Sequence, residues 1–96
     1  MTSKQRAYLK GLASTLNPVF QIGKYGLTAE VTEAVQEAFN NHELIKLGVL
    51  KNCVEDPNEI AEMLSERTHS QVVQVIGKRI VLYKPDKDKP KIQLPR

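Results

Sequence analysis

The chain has 96 residues, 41% hydrophobic and 26% charged, with one cysteine, Cys53; that suffices for a single domain with one modest core and excludes an internal disulfide. No apolar run approaches the ~20 residues that span a bilayer, Lys10 interrupts what would be a secretory signal, and a lone cysteine fits a reducing compartment, so the cytoplasm is the expected location. The net charge of +3 is unevenly spread: residues 1–29 carry four basic residues and no acid, residues 30–66 nine acids against two lysines, and residues 67–96 eight basic residues against two acids, which predicts a basic surface built from both chain ends.

Thr2-Ser3-Lys4-Gln5 has the spacing of a capping box, and Tyr8, Leu9, Leu12 and Leu16 then recur at helical intervals. A first helix is therefore predicted over about 3–16, with Arg6 and Lys10 one turn apart beside its apolar stripe. Asn17-Pro18 stops it, because proline disfavours the helical conformation in the residue before it. Val19-Phe20-Gln21-Ile22 reads as a short strand. The loop "GKYG" follows at 23–26, and Thr28 is the expected cap of a second helix. Val31, Ala34, Val35, Ala38 and Phe39 keep the helical interval without exception, with Glu30, Glu33 and Glu37 on the opposite, acidic side.

Asn40-Asn41-His42 ends that helix, and "ELIKLGVLK" (43–51) predicts a second strand with Ile45, Leu47 and Val49 on one face. Gly48 departs from the β-branched or long residue expected inside a strand. Asp56-Pro57-Asn58-Glu59 combines an acidic cap, proline in the first turn and a box-like glutamate. The third helix is predicted to run to about Arg67, with Ile60, Met63 and Leu64 inward and Glu59, Glu62 and Glu66 outward. "QVVQVI" and "RIVLY", separated by Gly77-Lys78, predict a β-hairpin with glycine at the first turn position. The remainder, "KPDKDKPKIQLPR", holds three prolines and too little apolar surface to fold alone. The expected organisation is a domain over 2–84 and a flexible or extended basic tail over 85–96. Its fold class is α/β: a mixed four-stranded sheet packed with three helices, in the order α-β-α-β-α-β-β.

Catalysis is not expected. His42, His69 and Cys53 lie far apart in sequence and match no zinc pattern, and there is no phosphate-binding loop lysine motif or nucleophile elbow. Neither catalytic residues, a metal nor a cofactor is therefore assigned. The GKYG loop carries a different chemistry. Glycines at 23 and 26 remove two Cβ atoms and permit positive φ, so a phosphate can approach the backbone amides. A helix starting at Thr28 would favour an anion through its free N–H groups and dipole. Lys24 adds charge and Tyr25 a stacking surface, which is the physics of the GXXG loop of KH domains. Two glycines three apart are a weak signal by themselves, and a plain strand-to-helix turn explains them equally well.

Three blocks together are more specific. "FQIGKYGLT" (20–28), "HELIKLGV" (42–49) and "VVQVIGKRIVLYK" (72–84) resemble, in that order, the YhbY-type single-domain members of the CRM family, the chloroplast RNA splicing and ribosome maturation domain. The resemblance covers about residues 2–84. It implies an RNA-binding module whose fold resembles the C-terminal domain of a bacterial translation initiation factor. Bacterial stand-alone members are associated with precursors of the large ribosomal subunit, and plant proteins carry the domain in intron-splicing factors. The family's glycine loop falls on Gly23, Lys24, Tyr25 and Gly26, with Thr28 opening the helix. Its basic surface would draw on Lys4, Arg6, Lys10, Lys46, Lys78, Arg79 and Lys84. The expected function is thus a non-catalytic, monomeric RNA-binding protein acting on large-subunit ribosomal RNA in a pre-ribosomal particle, with no membrane or small-molecule partner. The alternative is an adaptor that docks on ribosomal proteins or assembly factors through the acidic helix faces.

Overall fold

Thr2 opens the first helix as its spacing predicts: in the computed structural model, which describes all 96 residues, Thr2 Oγ1 accepts the Gln5 amide and Gln5 Oε1 accepts the Thr2 amide, each at 3.1 Å. The helix, α1, spans Ser3–Ala13, three residues short of the expected end. The hydroxyls of Ser14 and Thr15 donate back to the carbonyls of Gly11 and Leu12, local bonds that compete with helix continuation. α1 buries Leu9 and Ala13, whereas Tyr8 and Leu12 lie on its flank, 43% and 39% exposed.

β1 spans Phe20–Ile22, α2 Ala29–Phe39, β2 Leu44–Val49, α3 Pro57–Thr68, β3 Gln71–Ile76 and β4 Arg79–Tyr83. Asp56 accepts the Asn58 amide at 2.8 Å to start α3, and His69, in the left-handed region at φ 56°, ends it. Gly77, at φ 54°, turns the hairpin. The element order is the predicted one. The sheet is ordered β1-β2-β4-β3, with β1 parallel to β2 and β4 antiparallel to both of its neighbours. β3 is thus an edge strand, with a bulge between Val72 and Gln74.

Alternation along β2 and β4 gives the sheet two covered faces. Ile45, Leu47, Val49, Ile80 and Leu82 meet Val31 and Val35 of α2 and Ile60, Ala61 and Leu64 of α3. On the other side Leu44, Val81 and Tyr83 meet Val73 and the α1 residues Leu9 and Ala13. The molecule is therefore three layers: α2 and α3, the sheet, and α1. In α3 the inward stripe is Ile60, Ala61, Leu64 and Thr68, and Met63 is 38% exposed, because it lies about 60° beyond the Ile60 edge of that stripe. The second strand is regular through Gly48, which pairs with both Gln21 and Arg79. The Gln21 side-chain amide occupies the space that a Cβ at Gly48 would take. No helix is long and apolar enough to cross a membrane.

Candidate nucleic-acid interface

The GKYG loop is a tight turn closed by the Gly26 amide on the Gly23 carbonyl at 3.0 Å. Its two glycines have different reasons to be glycine. Gly26 sits at φ +66°, and a Cβ there would run into the Glu55 carboxylate. That carboxylate is itself fixed, accepting the Leu27 amide at 2.8 Å. Gly23 has no positive φ, and a Cβ there would meet only Leu50 Cδ1 at 4.0 Å. The fold therefore requires glycine at 26 and leaves the space beside Gly23 open. At the tip, Tyr25 is 77% exposed and Lys24 Nζ lies 5.1 Å from its ring centroid.

Thr28 Oγ1 accepts the Val31 amide at 3.3 Å and so caps α2 as predicted. The amides of Lys24 and Tyr25, and of Ala29 and Glu30 in the first turn of α2, have no acceptor within the protein. Donors, a lysine and a helix N-terminus thus occur together, a combination that suits an anion. Glu55 and Glu30 oppose this by placing carboxylates nearby. They weaken the field of the helix end, so Lys24 and the amides at the tip, rather than the dipole, must carry the attraction.

Three loops gather at this end of the sheet. β1 and β2 run parallel and both finish here, and the Val49 amide donates to the Lys78 carbonyl at 2.8 Å, which brings in the hairpin turn. Lys24, Lys78 and Arg79 are all exposed. On the α1 side of the sheet, alternation from Leu44 places Lys46 and Gly48 on the same face, with Arg79 and Gln21 beside Gly48 by register. Lys46 is half-buried there.

The other expected site residues lie elsewhere. Lys4 and Lys10 are exposed on α1. Arg6, expected beside the apolar stripe, reaches the sheet: its Nη1 donates to the carbonyls of Val72 and Val73 at 3.0 and 2.9 Å, at the bulge of β3. Lys84 stands at the opposite end of the sheet, where its Nζ lies 6.0 Å from the Phe39 ring centroid. Leu44 to Val49 separates the two ends by about 17 Å of strand. The basic residues therefore form a cluster at the GKYG end, a strip across the α1 side, and a second cluster beyond Tyr83.

Two residues that the sequence did not single out organise this arrangement. One is Glu55, which braces the turn. The other is Glu43, 8% exposed, whose carboxylate accepts the amides of Asp86, Lys91 and Ile92 at 2.8, 2.6 and 2.8 Å. Burial pushes the Glu43 carboxyl up, but those amides outweigh it and hold it below the ordinary carboxylate value, while the Asp86 charge pushes it back up. Burial and the Glu43 charge together raise the Tyr83 phenol above its ordinary value. Their partners lie 28 to 49 positions away in sequence, so no local pattern signals such roles.

Comparison with known proteins is consistent across sequence and structure. Residues 1–84 match the CRS1 / YhbY (CRM) domain. A Bacillus subtilis protein named "Probable RNA-binding protein YqeI" is 45% identical over 95 residues, covering 99% of each chain. A Haemophilus influenzae protein named "RNA-binding protein" is 43% identical over 96 residues, covering 100% of this chain and 96% of that one. The solution structure of a hypothetical protein from Staphylococcus aureus superimposes with a TM-score of 0.84 at 45% identity, covering 99% of both chains.

Proposed function

This chain belongs to the CRS1 / YhbY (CRM) domain family, and from that premise we propose that it is a cytoplasmic, non-catalytic RNA-binding protein that engages ribosomal RNA of the large-subunit precursor during ribosome assembly. RNA binding is supported by the names of its relatives. The large subunit is inferred from the resemblance to stand-alone bacterial members of the family. The observation that carries the reading is the asymmetry of the turn: Gly26 is explained by backbone conformation and Glu55, while Gly23 borders open space next to amides that lack an acceptor. A phosphate oxygen fits that space, held by the tip amides and Lys24, with Tyr25 available to stack on a base. The position agrees with the tendency of open α/β sheets to bind ligands beyond the carboxyl ends of their parallel strands. Lys78 and Arg79 would hold the next phosphates, and Lys46 and the lysines of α1 would extend the path along the sheet.

An RNA-binding isotherm with a large-subunit ribosomal RNA fragment tests this. Native protein is compared with Lys24→Asp combined with Tyr25→Asp, which leaves both glycines and the Glu55 brace intact. The variant should melt like the native chain and bind at least tenfold more weakly, about 1.4 kcal/mol. Equal binding would make GKYG a turn only and move the RNA face to α1 and β4. No binding by either protein would favour an adaptor that uses the exposed acids of α2 and α3.

A further inference from the structure

The basic segment beyond Tyr83 is fastened to the body. Glu43 follows α2 and precedes β2, and its two oxygens hold the backbone of the segment at residues 86, 91 and 92. Further along, Ile92 and Leu94 pack on the cluster that Leu9 and Ala13 of α1 build. Within the segment, Asp86 Oδ1 accepts the amides of Asp88 and Lys89 at 2.9 and 3.2 Å. Residues 84–94 thus form a strap around the end of the sheet opposite GKYG, running from Phe39 of α2 to the C-terminal end of α1.

The strap leaves a groove of about 450 Å³ between itself and the helix ends. Its apolar lining comes from Leu12, Leu16, Phe39, Leu44 and Ile92. Lys87, Lys89 and Lys91 are all exposed on the strap. The two acids at the groove, Glu43 and Asp86, have carboxylates engaged by backbone amides, so their charge is partly compensated there. Asp88 is the one further acid of the strap, and it is exposed.

We propose that this strap and groove are a second RNA site, which takes a single-stranded segment with phosphates on Lys87, Lys89 and Lys91 and an unpaired base in the groove. Lys91 on the rim of an apolar groove, with Lys87 and Lys89 exposed further along the same strap, matches the two halves of a nucleotide. A duplex would offer the phosphates and keep its bases stacked inside, so the groove selects single strands. Glu43 acts as a positioning residue that fixes the spacing of the lysines. Because the site lies about 17 Å of strand from the GKYG end, it would engage a separate stretch of the RNA.

This inference rests on the RNA-binding reading, and one set of isotherms separates the two. A short single-stranded oligonucleotide and a duplex of the same sequence are titrated over a salt series. The proteins are the full native chain, the variant Lys87→Gln/Lys89→Gln/Lys91→Gln, and the Lys24→Asp/Tyr25→Asp variant, each with a thermal melt. The strap variant should fold normally, bind the oligonucleotide about tenfold more weakly, and lower the salt slope by about 2, at roughly 0.7 per phosphate contact. The native chain should prefer the single strand. A strap variant with native affinity and slope overturns the proposal while leaving the function standing, and so does a duplex that binds as well as the single strand. A native chain that binds neither RNA, or that binds an acidic peptide probe in place of the oligonucleotide, overturns both.

Discussion

A Cβ at residue 26 would collide with the Glu55 carboxylate and sit at φ +66°, a conformation that costs a non-glycine residue about 1–2 kcal/mol. Gly26→Ala should therefore destabilise the protein by about 2 kcal/mol, read by urea unfolding. Gly23→Ala should change stability by no more than about 0.5 kcal/mol, as at an unconstrained surface position. It should still weaken RNA binding about threefold or more, because a methyl group there holds a phosphate away from amides whose bonds are worth ~0.5–1.5 kcal/mol. Equal destabilisation by both substitutions, with unchanged RNA affinity, would mean that the glycines serve only the turn. The loop itself was legible in the sequence, since two glycines before a capping threonine form a local pattern. The unequal roles of the glycines were not, because they depend on Glu55, which reaches the loop from 28 residues further along the chain.

Caps and turns declare themselves in neighbouring residues, and this is why Thr2 with Gln5, Thr28, Asp56 with Pro57, and Gly77 with Lys78 all act as the sequence predicts. The links between elements span much longer distances. Arg6 reaches the β3 bulge across 66 and 67 positions, where it supplies the donor that a bulged edge strand lacks. Arg6→Ala should cost about 1.5–3 kcal/mol, the range for hydrogen bonds involving a charged group. Lys at that position should recover only part of it, since an ammonium cannot reproduce the guanidinium geometry; thermal unfolding of both variants checks this, and a neutral Arg6→Ala would remove the structural role. The strap depends likewise on Glu43, 43 to 49 positions from its donors. A carboxyl held low in the folded state contributes stability that is fully present above its ordinary value of 4.5 and is lost as pH falls through the lowered folded value. Asp86, held low by the Asp88 and Lys89 amides, acts in the same direction. Amide protection factors of Asp86, Lys91 and Ile92 should therefore drop as pH falls below the ordinary carboxylate value of 4.5, before those of β2 and β4 do. Protection that persists would show the strap to be held without the Glu43 charge.

The three-layer arrangement turns the uneven charge of the sequence into a two-sided molecule. Glu30, Glu33 and Glu37 of α2 and Glu59, Glu62 and Glu66 of α3 are all exposed on one outer layer. Lys4 and Lys10 lie on the layer across the sheet, Lys46 on the sheet face beneath it, and the remaining lysines gather at the two strand ends. The element order and the outward acids could be read from periodicity alone. The strand order β1-β2-β4-β3 could not, because nothing local says that the last strand inserts beside β2, and that insertion is what brings Arg79 next to Gly48 and Lys78 next to Val49. Phosphate should meet the basic layer and be turned away by the acidic one. Amide chemical-shift mapping during titration with a large-subunit ribosomal RNA fragment tests this most directly. The largest shifts are expected at Gly23–Gly26, at Lys78 and Arg79, and along the face that carries Lys46, with the outer residues of α2 and α3 unmoved. Shifts centred on Glu33, Glu37, Glu62 and Glu66, or none at the GKYG turn, would contradict it.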